Sequence, residues 1–258
     1  MTITSAPGTA THLARPASMP LRGIRVPADI EAADARGVLV AAIDAIGAER
    51  LPLVTSLAPE GIVILDMLLR LVPRPRVVTL DTGLLPADTH ALIERVQAHF
   101  DVEIDVFTPD QADIDPMVRD RGRDLYYRSR EDRLRCCDVR KVLPMRRALA
   151  DADGWITGLR RDQASTRAAT PKMGRDVANG LLWKVAPLAD WTSERVWEYV
   201  REHDLPYNSL HDEGYASIGC APCTRAIAPG EDERAGRWWW ESPDDPRECG
   251  LHMPAKAG

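Results

Sequence analysis

No apolar run in this sequence approaches the ~20 residues that a membrane-spanning helix needs, which argues against a helical membrane protein. Residues 1–30, rich in Ala, Thr, Pro and Arg, lack the continuous apolar core of a secretory signal. They are expected to be a disordered tail on a cytoplasmic protein. Positive charge is also in short supply. With 33 Lys and Arg against 39 Asp and Glu, the net charge is -6, so no whole-molecule field favours nucleic acid. An anionic ligand must then be held by a local group of cations. The segment Ser56-Leu57-Ala58-Pro59-Glu60-Gly61 lacks the glycines and the lysine of a phosphate-cradling P-loop. Internal repeats are absent. Cysteine is scarce: there are five, an odd number whose spacings do not suit a secreted disulfide framework.

What is present fits one large domain with appendages. Apolar residues at helical spacing predict helices over 36–48, 62–71, 87–100 and 192–202. The last is capped by Thr192 and buries Val196, Trp197 and Val200. Short apolar runs predict buried strands over 51–56, 77–80, 102–107 and 155–158. A further helix is expected over 137–149, with Pro144 in its first turn or at a kink. This alternation implies an α/β fold with a mostly parallel sheet covered on both faces. Ligands bind such sheets at the carboxyl ends of the strands. Ser56, Asp81-Thr82-Gly83 and Gly158 through Arg161 all fall there. Beyond Leu210 periodicity fades, and residues 216–258 are expected to form a C-terminal segment pinned by a metal site. Residues 31–215 are expected to form the main domain, which carries this ligand site.

The cysteines are the most informative residues. In a reducing cytosol, Cys136-Cys137 and Cys220-Ala221-Pro222-Cys223 suit metal ligation rather than disulfides. Adjacent cysteines on a helix point about a third of a turn apart. Convergence of both on one small ion is awkward, whereas a cubane offers each its own iron, which favours a 4Fe–4S cluster over zinc. Arg135, Arg140 and Lys141 could offset thiolate charge, or form a solvated basic face. Cys249, in a C-terminal segment expected to move, is either a thiol that enters a pocket or an inert surface cysteine. His252 beside it could support a thiolate. Arg160, Arg161 and Arg167, with Arg234 and Arg237, could grip phosphate or sulfate oxygens. The run Trp238-Trp239-Trp240 is more readily packing than function.

Seven stretches occur in one order: Ser56-Leu-Ala-Pro-Glu60, Leu80-Asp-Thr-Gly83, Arg135-Cys-Cys137 with Arg140-Lys141, Gly158-Leu-Arg-Arg-Asp-Gln163, Cys220-Ala-Pro-Cys223, Gly236-Arg-Trp-Trp-Trp-Glu241 and Glu248-Cys-Gly-Leu-His252. Over 51–252 the chain resembles the assimilatory sulfonucleotide reductases of the iron–sulfur type, which reduce adenosine 5′-phosphosulfate. The resemblance implies a Rossmann-like fold of the adenine nucleotide α-hydrolase type. It implies a 4Fe–4S cluster on Cys136, Cys137, Cys220 and Cys223, anchoring the C-terminal segment. It puts Ser56, Leu80 and Gly158 near the nucleotide and Arg160, Arg161, Arg234 and Arg237 near the phosphosulfate. Lys141 falls between cluster and substrate, and His252 counts among the substrate-binding residues. Cys249 is implied as the nucleophile that forms an S-sulfocysteine, from which thioredoxin releases sulfite, in sulfate assimilation and cysteine biosynthesis. Homo-oligomerisation is left open.

Competing readings are a reductase of the 3′-phosphorylated nucleotide or of both nucleotides, an RNA sulfur transferase on the same fold, and a zinc-stapled binding module. The lack of a Ser-Gly-Gly-type loop and the acidic net charge disfavour RNA. Glu60, and the lack of cations in its loop, disfavour a 3′-phosphate, although Arg74 or Arg76 could reach the ribose.

Overall fold

A computed structural model describes residues 24–242, 245 and 248–251. Most of the expected N-terminal tail, residues 1–23, lies outside them. From there inward the chain is packed: Val26 and Ile30 lie against the main core.

Helix α1 (Ala35–Ile46) starts where the Asp34 carboxylate accepts the Gly37 N–H at 2.7 Å and ends at Gly47, whose φ of 93° suits glycine. Strand β1 (Leu53–Val54) leads through a short loop into α2 (Pro59–Leu69). This helix begins earlier than the sequence predicts. Pro59 sits in its first turn, where a missing N–H is harmless, so Glu60 and Gly61 belong to the helix and not to a loop. Strand β2 (Val77–Leu80), α3 (Ala87–Phe100) and β3 (Ile104–Phe107) follow. Next come α4 (Gln111–Arg121) and α5 (Arg130–Cys137), both outside the predicted elements. A π-turn over Asp138–Val142 joins α5 to α6 (Leu143–Ala148), with Pro144 in the first turn of α6. Strand β4 (Gly154–Ile156) is followed by a hairpin of β5 (Met173–Asp176) and β6 (Leu182–Val185), then by α7 (Ser193–Glu202).

The sheet runs β3-β2-β1-β4-β6-β5, parallel except for edge strand β5. Strand order reverses at β1, between β2 and β4, which is where open sheets of this kind form their crevice. Successive strand residues face opposite layers. Leu53, Val77 and Ile156 enter the core shared with α1, α2 and α7, whereas Val54, Val78 and Trp155 enter the one roofed by Met145 and Ala148 of α6. Beyond α7 the described residues form short helical turns and an isolated bridge between Thr224 and Arg237. This segment joins a third apolar cluster built on Met117, Leu125, Tyr126, Val139 and Trp238.

The β1–α2 junction has no slack. Thr55 Oγ1 accepts the Leu57 N–H at 2.8 Å, Leu57 has a φ of 58°, and a Cβ on Gly61 would strike the Thr55 side chain. Gly61→Ala is therefore expected to lower stability by about 1–3 kcal/mol through overpacking. In urea unfolding, this should appear as a lower midpoint with an unchanged slope.

Candidate active site

Ser56, Leu80 and Gly158 stand at the carboxyl ends of β1, β2 and β4 and line a cavity of about 220 Å³. Gly158 has no room for a side chain: a Cβ would lie 2.8 Å from the Glu60 Cβ, so the two loops interlock. Lys141, Arg160, Arg167, Arg234, Arg237 and Cys249 line the same cavity.

Partners sort these cations. Arg160, 1% exposed, pairs with Glu60 at 2.8 Å and with Glu233 at 3.0 Å, and also with Asp162. Gln163 donates to the same Glu60 oxygen at 2.9 Å. Arg160 is thus a structural tie between the first turn of α2 and the Glu233–Arg234 loop, not a guanidinium open to an anion. Glu60 shares that one guanidinium with Glu233 and Asp162, so acidic charge remains at this end of α2. Arg161 is not brought to the cavity: it pairs with Glu31 and donates to the Thr170 carbonyl at 2.9 Å. Arg76 is held at the opposite, amino-terminal edge of β2 by Asp105 at 3.3 Å and Asp151 at 2.8 Å. Arg135 is exposed and pairs with Asp138 at 3.2 Å, the solvated alternative. Among the described residues, Lys141 and Arg237 have no carboxylate partner, and Arg237 Nε is buried without a hydrogen bond.

A second, smaller cavity is lined by Cys136, Cys137, Cys220 and Cys223, together with Leu84, Arg133, Arg140, Lys141 and Trp238. All four cysteines are buried free thiols. Thr82 ties this pocket to the end of β2. Its Oγ1 lies 3.2 Å from Cys220 Sγ, and its carbonyl accepts from Arg140 at 2.8 Å. Burial pushes the Cys136 thiol up and those of Cys137 and Cys223 up to about 12. Among the described residues no three sulfur, imidazole or carboxylate donors converge on the position of one metal ion. Tetrahedral zinc would need its sulfurs within about 3.8 Å of each other. Four buried thiols lining one pocket are the donor set that a group offering each sulfur its own iron requires.

Cys249 lies in the strap 248–251. Burial would raise its pKa, but the Lys141 ammonium, the Leu251 N–H and Arg237 prevail and leave it below the ordinary thiol value. Lys141 is opposed by burial as well, yet Cys220, Cys249 and Cys137 hold its pKa high. His252 lies outside the described residues. Sequence reasoning had singled out neither Arg133 nor Glu248 by itself. Arg133 is fully buried, bidentate with Glu241 at 2.7 and 2.8 Å, and 4.3 Å above the Trp238 ring. No local signal marks it, because its partner Glu241 lies more than a hundred residues away.

Comparison with known proteins matches residues 50–226 to the phosphoadenosine phosphosulfate reductase domain. The adenosine 5′-phosphosulfate reductase of Allochromatium vinosum is 50% identical over 198 residues, covering 77% of both chains. That of Burkholderia cepacia is 46% identical over 205 residues, covering 80% of this chain and 81% of the relative. Among solved structures, a Candida auris phosphoadenylyl-sulfate reductase in complex with phosphate superposes with a TM-score of 0.63 at 24% identity, covering 76% of this chain and 91% of that one. The FMN adenylyltransferase of Candida glabrata in complex with FAD and pyrophosphate gives 0.55 at 12% identity, covering 74% and 64%. Both share the fold.

The sorting of the arginines is testable. Arg160→Gln strands Glu60 as an uncompensated buried charge, with partly exposed Glu233 beside it, and should cost about 3–5 kcal/mol. Arg161→Ala should stay within about 0.5 kcal/mol of the parent. Paired chemical denaturation curves check both.

Proposed function

This chain belongs to the phosphoadenosine phosphosulfate reductase domain family, and on that premise we propose that it reduces adenosine 5′-phosphosulfate to sulfite and AMP in sulfate assimilation. The observation that carries the reading is the seat of Cys249. A thiol of lowered pKa lines the strand-end cavity beside Lys141 and Arg237, the cations there without a carboxylate partner among the described residues.

In this reading the nucleotide lies over Ser56, Leu80 and Gly158, and its phosphosulfate points to Lys141, Arg234 and Arg237. The Cys249 thiolate attacks the sulfate sulfur. An S–S bond forms, the S–O bond to phosphate breaks, and its electron pair leaves with AMP. A dithiol protein of the thioredoxin type then attacks Cys249 Sγ, and sulfite departs with the bonding pair. The donor's second thiol resolves the mixed disulfide, returns the Cys249 thiolate and leaves the donor oxidised by two electrons. Thiolate and phosphosulfate repel each other, so fixed cations in a desolvated site carry much of the acceleration. Free thiols and a dithiol donor are both kept reduced in the cytoplasm, where we place the reaction.

Cys136, Cys137, Cys220 and Cys223 would hold a 4Fe–4S cluster, with Arg140 and Lys141 offsetting thiolate charge. When bound, it supplies a covalent staple between α5 and the segment 216–258 and a local electrostatic field; the two-electron balance above is complete without it. The smaller cavity, lined by four buried free thiols, supports the reading. Anaerobically purified Cys136→Ser or Cys220→Ser should lose iron, sulfide and activity together. Stoichiometric zinc in fully active parent protein would overturn the cluster.

The unphosphorylated nucleotide is the expected substrate. A 3′-phosphate adds roughly two negative charges, and the loop 56–61 contributes no cation to meet them. Of the two ribose candidates, Arg74 and Arg76, Arg76 is committed to the far edge of the sheet. Two measurements test the function. Mixing the protein with adenosine 5′-phosphosulfate alone should add one sulfonate to Cys249 by mass spectrometry, and the donor should then release sulfite. Cys249→Ser should retain iron and nucleotide binding while forming no adduct. An adduct elsewhere would remove Cys249 from the role. Equal kcat/KM for the 3′-phosphorylated nucleotide would remove the specificity.

A further inference from the structure

The residue before Cys249 is held at both ends. The Glu248 side chain, 1% exposed, is gripped by Arg167 through Nε at 2.8 Å and Nη2 at 2.8 Å. Thr166 Oγ1 donates to it at 3.1 Å, and Arg234 Nη2 lies 3.6 Å away. Its backbone carbonyl accepts from Arg133 Nη1 at 2.7 Å, and Arg133 is itself fixed by Glu241. After the cysteine the hold is weaker. Gly250 turns with a φ of 58°, and Leu251 packs, partly buried, on the cluster that contains Trp155. The strap's polar anchorage among the described residues is therefore concentrated at one residue, Glu248, immediately before Cys249.

We propose that Glu248 is the latch of the Cys249 strap: its carboxylate, clasped by Arg167 and Thr166, sets how long Cys249 stays seated in the cavity. Glu248 is a positioning residue. Its carboxylate is already filled by protein donors, so it acts on the chemistry through Cys249. The same clasp must open once Cys249 carries a sulfonate, because an attacking dithiol protein needs access to Sγ. Bidentate Arg–carboxylate geometry gives the seated state a defined position. Because the grip is made of hydrogen bonds to one side chain, it can release without unfolding the sheet. The role in turnover rests on the reductase reading above, whereas the seating of Cys249 does not.

The test compares the parent protein, Glu248→Gln and Thr166→Val, purified anaerobically with full iron content and checked by thermal unfolding. Glu248→Gln keeps the shape but loses the charge that binds both guanidinium nitrogens. Without substrate, alkylation of Cys249 by iodoacetamide is followed on its own peptide by mass spectrometry. It is compared as the limiting rate at high pH, so that altered ionisation does not count. That rate should rise about tenfold in Glu248→Gln, the scale of one charge-assisted hydrogen bond, and by a smaller factor in Thr166→Val. With saturating adenosine 5′-phosphosulfate, single-turnover sulfonation of Cys249 should fall by about tenfold while KM moves by less than about twofold. Sulfite release from enzyme sulfonated beforehand should be as fast or faster. Glu248→Asp should restore part of both effects. Unchanged alkylation and sulfonation in folded Glu248→Gln would overturn the latch, as would a rise in KM alone, which would mark Glu248 as a substrate contact. If Glu248→Gln does not fold, Thr166→Val decides with the same signs. Failure of the parent to be sulfonated would count against the reductase reading, and the alkylation rates would still judge the latch.

Discussion

A thiolate can stand beside a phosphosulfate only where fixed positive charge outweighs their mutual repulsion, and in the proposed reaction that demand would fall first on Lys141. Its ammonium lines both the strand-end cavity and the cysteine pocket. Burial would strip it of its proton, since an ammonium out of water is costly. Sulfur on either side, Cys249 in the strap and Cys137 and Cys220 in the pocket, holds the charge in place. The dependence is mutual, because the same ammonium is the largest influence drawing the Cys249 thiol downward. Removing either side would leave the other as an unpaired charge in a desolvated site.

The arginines solve the complementary problem. A buried guanidinium without a carboxylate is expensive, and those with purely structural work are matched: Arg133 with Glu241, Arg160 with Glu60 and Glu233, and Arg167 with Glu248. Each pair also joins distant parts of the chain. Arg133 and Arg167 fasten the C-terminal strap, and Arg160 fastens the loop carrying Arg234 and Arg237. Matching them leaves net positive charge on Lys141 and Arg237, where nucleophile and sulfate would meet. The field is therefore local although the whole protein carries a charge of -6.

Strands β1 to β4 and most helices were legible because their apolar content is continuous or periodic, as in Val77–Leu80 and Ala87–Phe100. What escaped was polar or broken. Helix α4 carries Asp and Arg on most of its surface and Pro116 within it. Helix α5 has only Leu134 and the two cysteines as apolar residues, so its start at Arg130 is set by the Ser129 cap and by tertiary packing. The β5–β6 hairpin has no strand-like run in Met173–Asp176 and is fixed by pairing with β6. At the site, the cysteine pairs were visible from spacing alone. The duties of Arg160 and Arg161 were not: adjacent in sequence, they take opposite directions. Their partners Glu60 and Glu31 lie 100 and 130 positions away.

The run Arg135-Cys136-Cys137-Asp138-Val139-Arg140-Lys141 shows how much one short segment can encode once its geometry is known. On a helical surface, residues four apart are neighbours, so Cys136 faces toward Arg140 and Cys137 toward Lys141. Each sulfur thereby has its own cation: Arg140 draws down Cys136, and Lys141 draws down Cys137, against the burial that raises both. The chain takes a π-turn over Asp138–Val142, where both cations sit, a distortion that often accompanies functional sites. Arg140 turns toward the Thr82 carbonyl, beside Cys220, while Lys141 turns toward the cavity and Cys249. Arg135, one position too early for either row, is left in solvent with Asp138. The doubled cysteine is thus matched by a doubled cation four residues on, and that spacing binds the pocket of four sulfurs and the cavity that holds Cys249 into one electrostatic unit.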